Sequence, residues 1–432
     1  MPRLPTSLLR RARAQDPLLI PLLRTCRDLD SARSELRWLR ENVEEKAVKY
    51  GASRQGVAVR QHLRKDCLAR GRGKPLQYIL GTEYFGELEL LCRPGVLIPR
   101  YGKAMDRILL SHLSYKFSRP ETADSILHLV SRLRPATGLQ HAQRKLHVLD
   151  LCTGSGCMTL LLHHELHSAF KDLSTEILGI DISTKALKLA RDNLQHVGTI
   201  SPKSKVHFKQ ANVLANSSET NGKIPSVYNV VEGMRVFDIL VANPPYISTQ
   251  QFYRETARSV RAFEPRLALV PGPSGTGKPS SNIPFKDAPA FLDEGDVFYP
   301  RIVEIAESVG AKLVLLEVGD SAQAERVANL LASRMIIVDG ISQPVWHAIE
   351  IWRDGIAMEG VATRTVLQCG SFRVPVIGPV EATHGRTVVC WRADARSWLT
   401  TASRHGGFEM KSNGLSKGPT TGCPVRAPTV LK

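Results

Sequence analysis

Asn243-Pro244-Pro245-Tyr246 follows directly on an apolar run, Phe237-Asp238-Ile239-Leu240-Val241-Ala242, and combines residue types suited to holding a flat amino group. The run reads as a buried strand of a parallel sheet, so the tetrapeptide falls where the strand opens into a loop, the edge at which α/β proteins build their sites. Neither proline has an N–H, so the backbone here supplies carbonyl acceptors. The Asn243 side chain offers an acceptor and a donor, and Tyr246 an aromatic face. An –NH2 group on an sp² carbon needs two acceptors for its hydrogens and a surface on which its plane can stack, and these four residues provide both. The alternative reading of the same residues is a proline-stiffened strand exit with a capping asparagine.

A second constellation lies upstream. Leu146-His147-Val148-Leu149-Asp150-Leu151 is another apolar strand, and it runs through Cys152-Thr153-Gly154-Ser155-Gly156 into the apolar-periodic Met158-Thr159-Leu160-Leu161-Leu162. Strand, glycine loop and helix in that order let a ligand approach the backbone closely and meet the free N–H groups of the helix start. The next apolar strand, Glu176 to Asp181, ends in an acid before a helix over Ser183 to Asn193. A carboxylate at that place can accept both hydroxyls of a ribose, which points to a nucleoside cofactor. The loop is Cys152-x-Gly154-x-Gly156 rather than a full G-x-G-x-x-G, so S-adenosylmethionine is favoured over a nicotinamide dinucleotide.

These residues need a scaffold. Apolar runs at 146–152, 176–181, 205–211, 237–242, 312–318, 335–339 and 347–352, separated by helical segments, predict a seven-stranded, doubly wound α/β sheet within residues 101–355. Ahead of it, residues 26–82 read as a small helical domain. Leu36, Leu39, Val43, Ala47 and Tyr50 fall roughly on one helical face, and Gly71-Arg72-Gly73-Lys74-Pro75 makes a break. Residues 83–100 alternate enough for a hairpin linker. Residues 356–432 contain Gly, Ser, Thr, Arg and Pro without sustained periodicity and predict a mostly irregular extension, apart from one edge strand at Arg386-Thr387-Val388-Val389-Cys390-Trp391. Gly272-Pro273-Ser274-Gly275-Thr276-Gly277-Lys278 imitates a phosphate-binding loop, but Pro279 stands where a Ser or Thr would ligate Mg²⁺, so the segment reads as an insertion loop.

With 432 residues and 43% hydrophobic content the chain can bury a sizeable core, in two domains plus extensions. No apolar run reaches the roughly eighteen residues of a membrane span, and a soluble protein is expected. Eight cysteines, Cys26, Cys67, Cys92, Cys152, Cys157, Cys369, Cys390 and Cys423, show no C-x-x-C pairing and no accompanying histidine spacing. That argues against a zinc site or a disulfide framework and for free thiols in a reducing compartment. The net charge of +17 permits nucleic-acid contact, but the first 40 residues alone hold nine arginines against four acids, with only positive charges before Asp16, interleaved with Leu4, Leu8 and Leu9. Residues 1–25 therefore read as a mitochondrial presequence outside the packed core, the other reading being a solvated basic tail.

Taken together, these segments resemble the peptide-chain release-factor glutamine methyltransferases, class I S-adenosylmethionine enzymes with an NPPY motif. The resemblance runs from about Pro75 to Gly355 and includes Gln77-Tyr78-Ile79-Leu80-Gly81, Tyr84-Phe85-Gly86, Gly95-Val96-Leu97-Ile98-Pro99-Arg100, Phe263-Glu264-Pro265-Arg266-Leu267-Ala268-Leu269 and Leu315-Leu316-Glu317-Val318-Gly319. Pairing NPPY with the Q-Y-I-L-G and L-I-P-R segments narrows the match to the glutamine-modifying branch. The resemblance implies a Rossmann-like class I methyltransferase sheet whose seventh strand is inserted antiparallel, and an N-terminal helical domain that docks the protein partner. It assigns Asp150, Cys152, Thr153, Gly154, Ser155 and Gly156 to the cofactor pocket around the methionine end, Asp181 to the ribose, and Asn212 to the adenine neighbourhood. Asn243 then borders both cofactor and acceptor, and no metal is called for.

In that reading the reaction is an in-line displacement in which alignment does most of the work. The Asn243 side-chain oxygen and the Pro244 carbonyl accept the two amide hydrogens, Pro245 stiffens the loop, and Tyr246 packs on the amide plane as positive charge develops. Two departures stand out. Asn212 replaces the acid usual in the family. After Ile98-Pro99-Arg100 the family continues with Pro or Trp and an acidic, Thr-containing stretch, whereas this chain has Tyr101-Gly102-Lys103-Ala104-Met105-Asp106. Either another residue, such as Asp106, closes the site or activity is weakened. The rival readings are an amino-methyltransferase acting on adenine or guanine, which presents the same planar –NH2, and a binding homologue that has lost turnover. A nucleic-acid enzyme would carry aromatics among basic residues in a target-reading domain, and the N-terminal region has few. The expected partner is a class I translational release factor, modified at the glutamine of its Gly-Gly-Gln loop by a monomer in the mitochondrial matrix, without nucleic acid.

Overall fold

The computed structural model describes residues 3–51, 56–100, 122–133, 145–170, 172–198, 203–216, 224–234, 236–272, 293–356, 363–379 and 385–399. Five helices open the chain: α1 (Thr6–Gln15), α2 (Leu19–Cys26), α3 (Leu29–Lys49), α4 (Val57–Gly71) and α5 (Leu76–Leu80). Asp28 starts α3 by accepting the Ser31 N–H at 2.8 Å, the usual service of an aspartate N-cap. Leu36, Leu39 and Val43 form its buried stripe, which stops short of the fully solvated Tyr50. Arg70 of α4 holds Glu35 of α3 through two hydrogen bonds, 2.8 and 2.7 Å long.

The described part of residues 1–25, from residue 3 on, does not lie outside this core. Ala12, Leu19, Leu22 and Leu23 are buried against Leu36 and Leu39 of α3 and Leu63 and Cys67 of α4. The contact between α2 and α4 reaches the backbone: a Cβ on Gly71 would stand 2.5 Å from the Pro21 carbonyl oxygen, and the Thr25 hydroxyl donates to the Arg70 carbonyl at 2.8 Å. An import helix and an amphipathic core helix share one pattern, leucines on one face and arginines on the other, so the sequence alone does not separate them.

A hairpin of β1 (Thr82–Phe85) and β2 (Leu88–Leu91), paired antiparallel, leads into the catalytic unit. There α6 (Thr122–Arg132), β3 (Lys145–Leu151), α7 (Cys157–Ala169), β4 (Ser174–Asp181), α8 (Thr184–Val197), β5 (Lys205–Gln210), α9 (Val227–Val231) and β6 (Ile239–Ala242) alternate in the manner of a parallel sheet. Two short helices, α10 (Thr249–Arg254) and α11 (Arg258–Phe263), follow the NPPY loop. Next come α12 (Phe298–Ser308), β7 (Leu313–Glu317) and α13 (Ser321–Ala332), and then β8 (Met335–Val338), β9 (Ile341–Pro344), β10 (Ala348–Arg353), β11 (Thr363–Cys369), β12 (Phe372–Gly378) and β13 (Gly385–Trp391).

Among the described residues the main sheet has nine strands, in the order β11-β12-β10-β13-β7-β6-β3-β4-β5. From β7 to β5 all neighbours are parallel, while β13 runs antiparallel to both β7 and β10. Side chains alternate between the two faces of the sheet. Leu149, Leu151, Leu240 and Leu316 join one apolar cluster, and Val148, Ile239, Val241 and Leu315 join the other, so both faces are covered.

Three expectations about this sheet need correction. The run at 335–339 is not a sheet strand: it pairs with β9 in a separate two-stranded hairpin whose residues are exposed on both faces. Asp339 (φ 51°) and Gly340 (φ 77°) make its turn, and an Asp-Gly pair between short apolar runs is a hairpin signal. The run at 347–352 is β10, which is parallel to β7 through the intervening β13, and not the antiparallel strand. That strand is β13, assigned above to the edge of an irregular extension and in fact buried at all seven positions between β7 and β10. The catalytic unit therefore continues past 355 to Leu399, with the β11–β12 hairpin inserted between β10 and β13. Of the phosphate-loop imitation only Gly272 lies within the described residues.

Candidate active site

β3, β6 and β7 end side by side. Their registers pair Leu151 with Ala242 and Ala242 with Leu316, so the next residues on the three strands are Cys152, Asn243 and Glu317. All three line one cavity of about 760 Å³, together with Thr153, Gly154, Ser155, Asp181, Asn212, Pro245 and Tyr246. Pro244, Asp150 and Gly156 lie behind its wall: Pro244 is buried, Asp150 is 0% exposed, and Gly156 caps α7.

The glycine loop is held by what surrounds it. The Thr153 N–H donates to the Ile180 carbonyl at 2.9 Å, and the Gly154 N–H donates to Asp181 Oδ2 at 2.9 Å. Cys152, Gly154 and Gly156 all have positive φ (62°, 58° and 80°). At Gly156 the close packing matters as well, since a Cβ there would stand 3.1 Å from both Ala190 and Phe208. Cys152 adopts the left-handed conformation despite its Cβ, a strain of about 1–2 kcal/mol, in the place where the commonest loop has glycine. Burial, reinforced by the nearby Asp181 and Asp150 carboxylates, pushes its thiol well above the usual range, and burial pushes Cys157 up to about 12. Both are poor nucleophiles. Asn193 of α8 ties the linker to the loop, accepting the Leu91 N–H at 2.7 Å and donating to the Ser155 carbonyl at 3.0 Å.

Burial raises Asp150 to about 6, against the pull of the Thr153 and Thr159 hydroxyls, which both donate to Oδ2 at 2.6 Å. Its Oδ1 is buried with no hydrogen-bond partner. Asp181, also raised by burial, accepts the Gly154 N–H on one oxygen and the Ser183 N–H on the other at 2.8 Å, and it lines the cavity. Asn212 uses Oδ1 to accept the Leu214 N–H at 3.0 Å, an Asx turn that shapes the strand end beside Val213 and Leu214. A glycine loop that opens on the cavity, an orphaned buried carboxylate oxygen behind it, an acid on the cavity wall and an apolar shelf at Val213 and Leu214 fit the methionine, ribose and base of S-adenosylmethionine in turn.

The acceptor side is built around Tyr246. Its hydroxyl donates to Glu317 Oε1 at 3.2 Å, and its carbonyl accepts from Gln323 Nε2 at 3.2 Å. Gln323 also donates to Asp296 at 2.8 Å and accepts the Gly319 N–H at 2.7 Å. The segments that carried the family resemblance converge here: Tyr78 donates to the Val96 carbonyl at 2.5 Å, the Ile98 N–H donates to Glu264 at 3.3 Å, and Ile247 bonds Leu269 through the backbone at 2.9 Å.

Thr122, Glu317 and Gln323 were given no role from sequence. Thr122 had a signal: Pro120-Glu121-Thr122 is the proline, acid and threonine expected after Arg100, displaced by residues 101–119. Thr122 and Arg100 line the same cavity, and the Thr122 hydroxyl bonds Glu317 Oε2. Tyr101 to Asp106, and with them the closing role expected of Asp106, lie outside the described residues, while Thr122 lines the cavity wall. Glu317 sat inside a quoted segment but declares its contacts only through the fold.

A family model described as a methyltransferase domain matches residues 142–253. The chain is similar to the mitochondrial MRF1 N(5)-glutamine methyltransferase MTQ1 of Saccharomyces cerevisiae, 34% identical over 274 residues that span 62% of this chain and 68% of the yeast protein. It is also similar to the release factor glutamine methyltransferases of Chlorobaculum tepidum, at 32% identity over 49% of this chain and 58% of that protein, and of Bacillus subtilis, at 30% over 47% and 54%. No helix among the described residues is long and apolar enough to cross a membrane.

Proposed function

The chain belongs to the release factor glutamine methyltransferase family, and from that premise we propose which residues carry its reaction and where it acts. It is an S-adenosylmethionine-dependent protein-glutamine N-methyltransferase that modifies the side-chain amide nitrogen of a release-factor glutamine. We infer that its substrate is the mitochondrial class I release factor, modified in the Gly-Gly-Gln loop within the matrix. The name of the yeast relative supports that reading. A monomer acting without nucleic acid belongs to the same proposal, which is supported by the supply of both cofactor-side and acceptor-side residues by one chain.

One observation carries the assignment of roles: Asn243 and Tyr246 leave β6 into the cavity that also receives Cys152 of the glycine loop and Asp181. When bound, S-adenosylmethionine supplies an electrophilic methyl group on a sulfonium. Asn243 Oδ1 and the Pro244 carbonyl accept the two amide hydrogens of the glutamine and direct its nitrogen along the line of attack. Tyr246 covers the amide plane, so the acceptors act most strongly as the nitrogen becomes positive. The Cys152 to Gly156 backbone holds the methionine end, Asp181 the ribose, and Asn212 with Val213 and Leu214 the base. Thr122 in the cavity wall supports retained turnover over a homologue that only binds.

Incubating the protein with methyl-labelled cofactor and purified release factors tests the reading. Label in the Gly-Gly-Gln peptide of the mitochondrial factor is expected. Label only in RNA or DNA, or cofactor binding without transfer to any release factor, overturns it.

A further inference from the structure

Glu317 is the last residue of β7 and 3% exposed. Its main chain is fixed in the middle of the sheet, opposite Thr387 of β13 on one side and at the end of β6 on the other, and its carbonyl accepts the Tyr299 hydroxyl at 2.9 Å. Its carboxylate therefore projects from a rigid base. The two oxygens serve different elements: Oε1 accepts the Tyr246 hydroxyl at 3.2 Å and Oε2 accepts the Thr122 hydroxyl from α6. The tyrosine is confined from behind as well, because a Cβ on Gly319 would stand 3.0 Å from Tyr246 Cδ2 and one on Gly295 would stand 2.5 Å from the Tyr246 carbonyl oxygen.

A buried carboxylate is a poor choice for filling space, since burial without partners costs stability. As an acceptor for two hydroxyls on separate elements it has a specific use. We propose that Glu317 is a positioning residue of the transfer: by holding the Tyr246 hydroxyl it fixes where that ring points, with Gly319 against its face, and through the ring it fixes the placement of the glutamine amide. This rests on the reading that Tyr246 covers the acceptor amide. With its hydroxyl pinned and Gly319 behind it, the ring cannot swing away, and the amide stacked on it presents its nitrogen in one direction. Glu317 does not act as a base here, as both its oxygens already accept hydroxyl hydrogens and the amide needs no deprotonation before attack.

Tyr246→Phe, Glu317→Ala, Glu317→Gln and the Tyr246→Phe/Glu317→Ala pair, all in the full-length chain, test this. Each of the first two is expected to lower kcat by about tenfold, with KM and S-adenosylhomocysteine affinity within about threefold, and the pair should be no worse than the poorer single variant. Glu317→Gln keeps an acceptor for the tyrosine and should recover most of the rate. An additive loss of about a hundredfold in the pair overturns the proposal. So does a Glu317→Gln rate as low as that of Glu317→Ala, or a cofactor affinity that falls in step with kcat. A fluorotyrosine placed at position 246 reports without turnover: its single resonance should shift or broaden in Glu317→Ala, and an unchanged resonance sinks the proposal even if the parent chain labels no glutamine, the result that would sink the functional reading instead.

Discussion

Asn243 and Asp181 line one cavity from strand ends two places apart, and they should fail differently when removed. Asn243→Ala takes away one acceptor for the amide hydrogens, so turnover should fall by about a hundredfold or more while cofactor affinity changes little. Asp181→Ala removes the carboxylate proposed to hold the ribose, which also orders the Gly154 and Ser183 N–H groups, so its loss should appear chiefly as weaker cofactor binding. Steady-state kinetics beside calorimetric binding of S-adenosylhomocysteine separates the two, and equal losses in both quantities for either variant would refute its assigned role. Asp150 makes a prediction of another kind. Burial raises its folded pKa to about 6 from the ordinary 3.8 of an aspartate, so folding favours the protonated acid. The ionised form is a cost fully present above about pH 6, relieved as pH falls through 6, and gone below the unfolded value. By linkage the swing is on the order of 3 kcal/mol. Asp150→Asn should therefore flatten part of the rise in stability between pH 7 and pH 5 in urea titrations. Asp124, also raised to about 6 by burial and by Asp354, contributes in the same direction. A variant with the same pH slope as the parent would show that Asp150 is already neutral or well solvated.

The cofactor elements, β3 with its loop and α7, β4 with Asp181, and β6 with NPPY, were legible because each is a continuous apolar run that ends in residues with special chemistry. The closing segment was not, because its parts are separated. Ile98-Pro99-Arg100 and Thr122 meet at one cavity although residues 101–119 stand between them in sequence. A chain in which Arg100 is joined directly to Pro120 should then keep cofactor affinity and methylation within about fivefold, since the length of an insertion between two fixed ends changes the loop-closure cost only slowly. Loss of turnover with a normal melting curve would place a site residue, Asp106 foremost, inside the deleted stretch. Strand assignment near the end of the sheet failed for a related reason. The 335–339 run has the composition of a strand, but its Asp339-Gly340 turn closes it on β9 before it can reach the sheet.

At the scale of the molecule both chain ends, as far as they are described, belong to packed cores. Ending the chain after residue 355 would remove β13 and leave β7 and β10 without their common neighbour. It would also uncover Arg132, which pairs with Glu350 and stacks its guanidinium 5.9 Å from the Trp391 ring. Val388, Val389 and Cys390 are all 0% exposed, and burying side chains of this kind contributes about 1.5–3 kcal/mol each. The 1–355 chain should accordingly be insoluble or fail to show a cooperative transition, while 1–399 should melt close to the full-length protein. A folded, active 1–355 chain would refute the central place of β13. At the other end, deleting residues 1–25 removes Leu19, Leu22 and Leu23, each no more than 2% exposed, from the helical module. Loss of several kcal/mol there, roughly by the same area argument, should expose the module to proteolysis and weaken methylation of the intact release factor while the catalytic unit still binds cofactor. Unchanged protease resistance would return residues 1–25 to the role of a detachable leader.

The local chemistry proposed for the site was read from the sequence itself: a glycine loop after a strand allows close ligand approach, an acid at the next strand end suits a ribose, and two prolines after an asparagine supply carbonyl acceptors suited to a planar amino group. Those are properties of neighbours in the chain, and no distant residue changes them. Which residues became neighbours across the chain was decided only by the tertiary structure. β13 looked like an edge because its seven residues carry no mark of the strands on either side, and its burial comes from pairing with β7 and β10, which precede it by more than thirty residues. Glu317 and Thr122 are ordinary polar residues until the sheet brings Glu317 to the Tyr246 hydroxyl and α6 brings Thr122 to Glu317. The leucines of α1 and α2 read equally well as an import face or a core face, because amphipathicity records that a helix has an apolar side and not what that side meets.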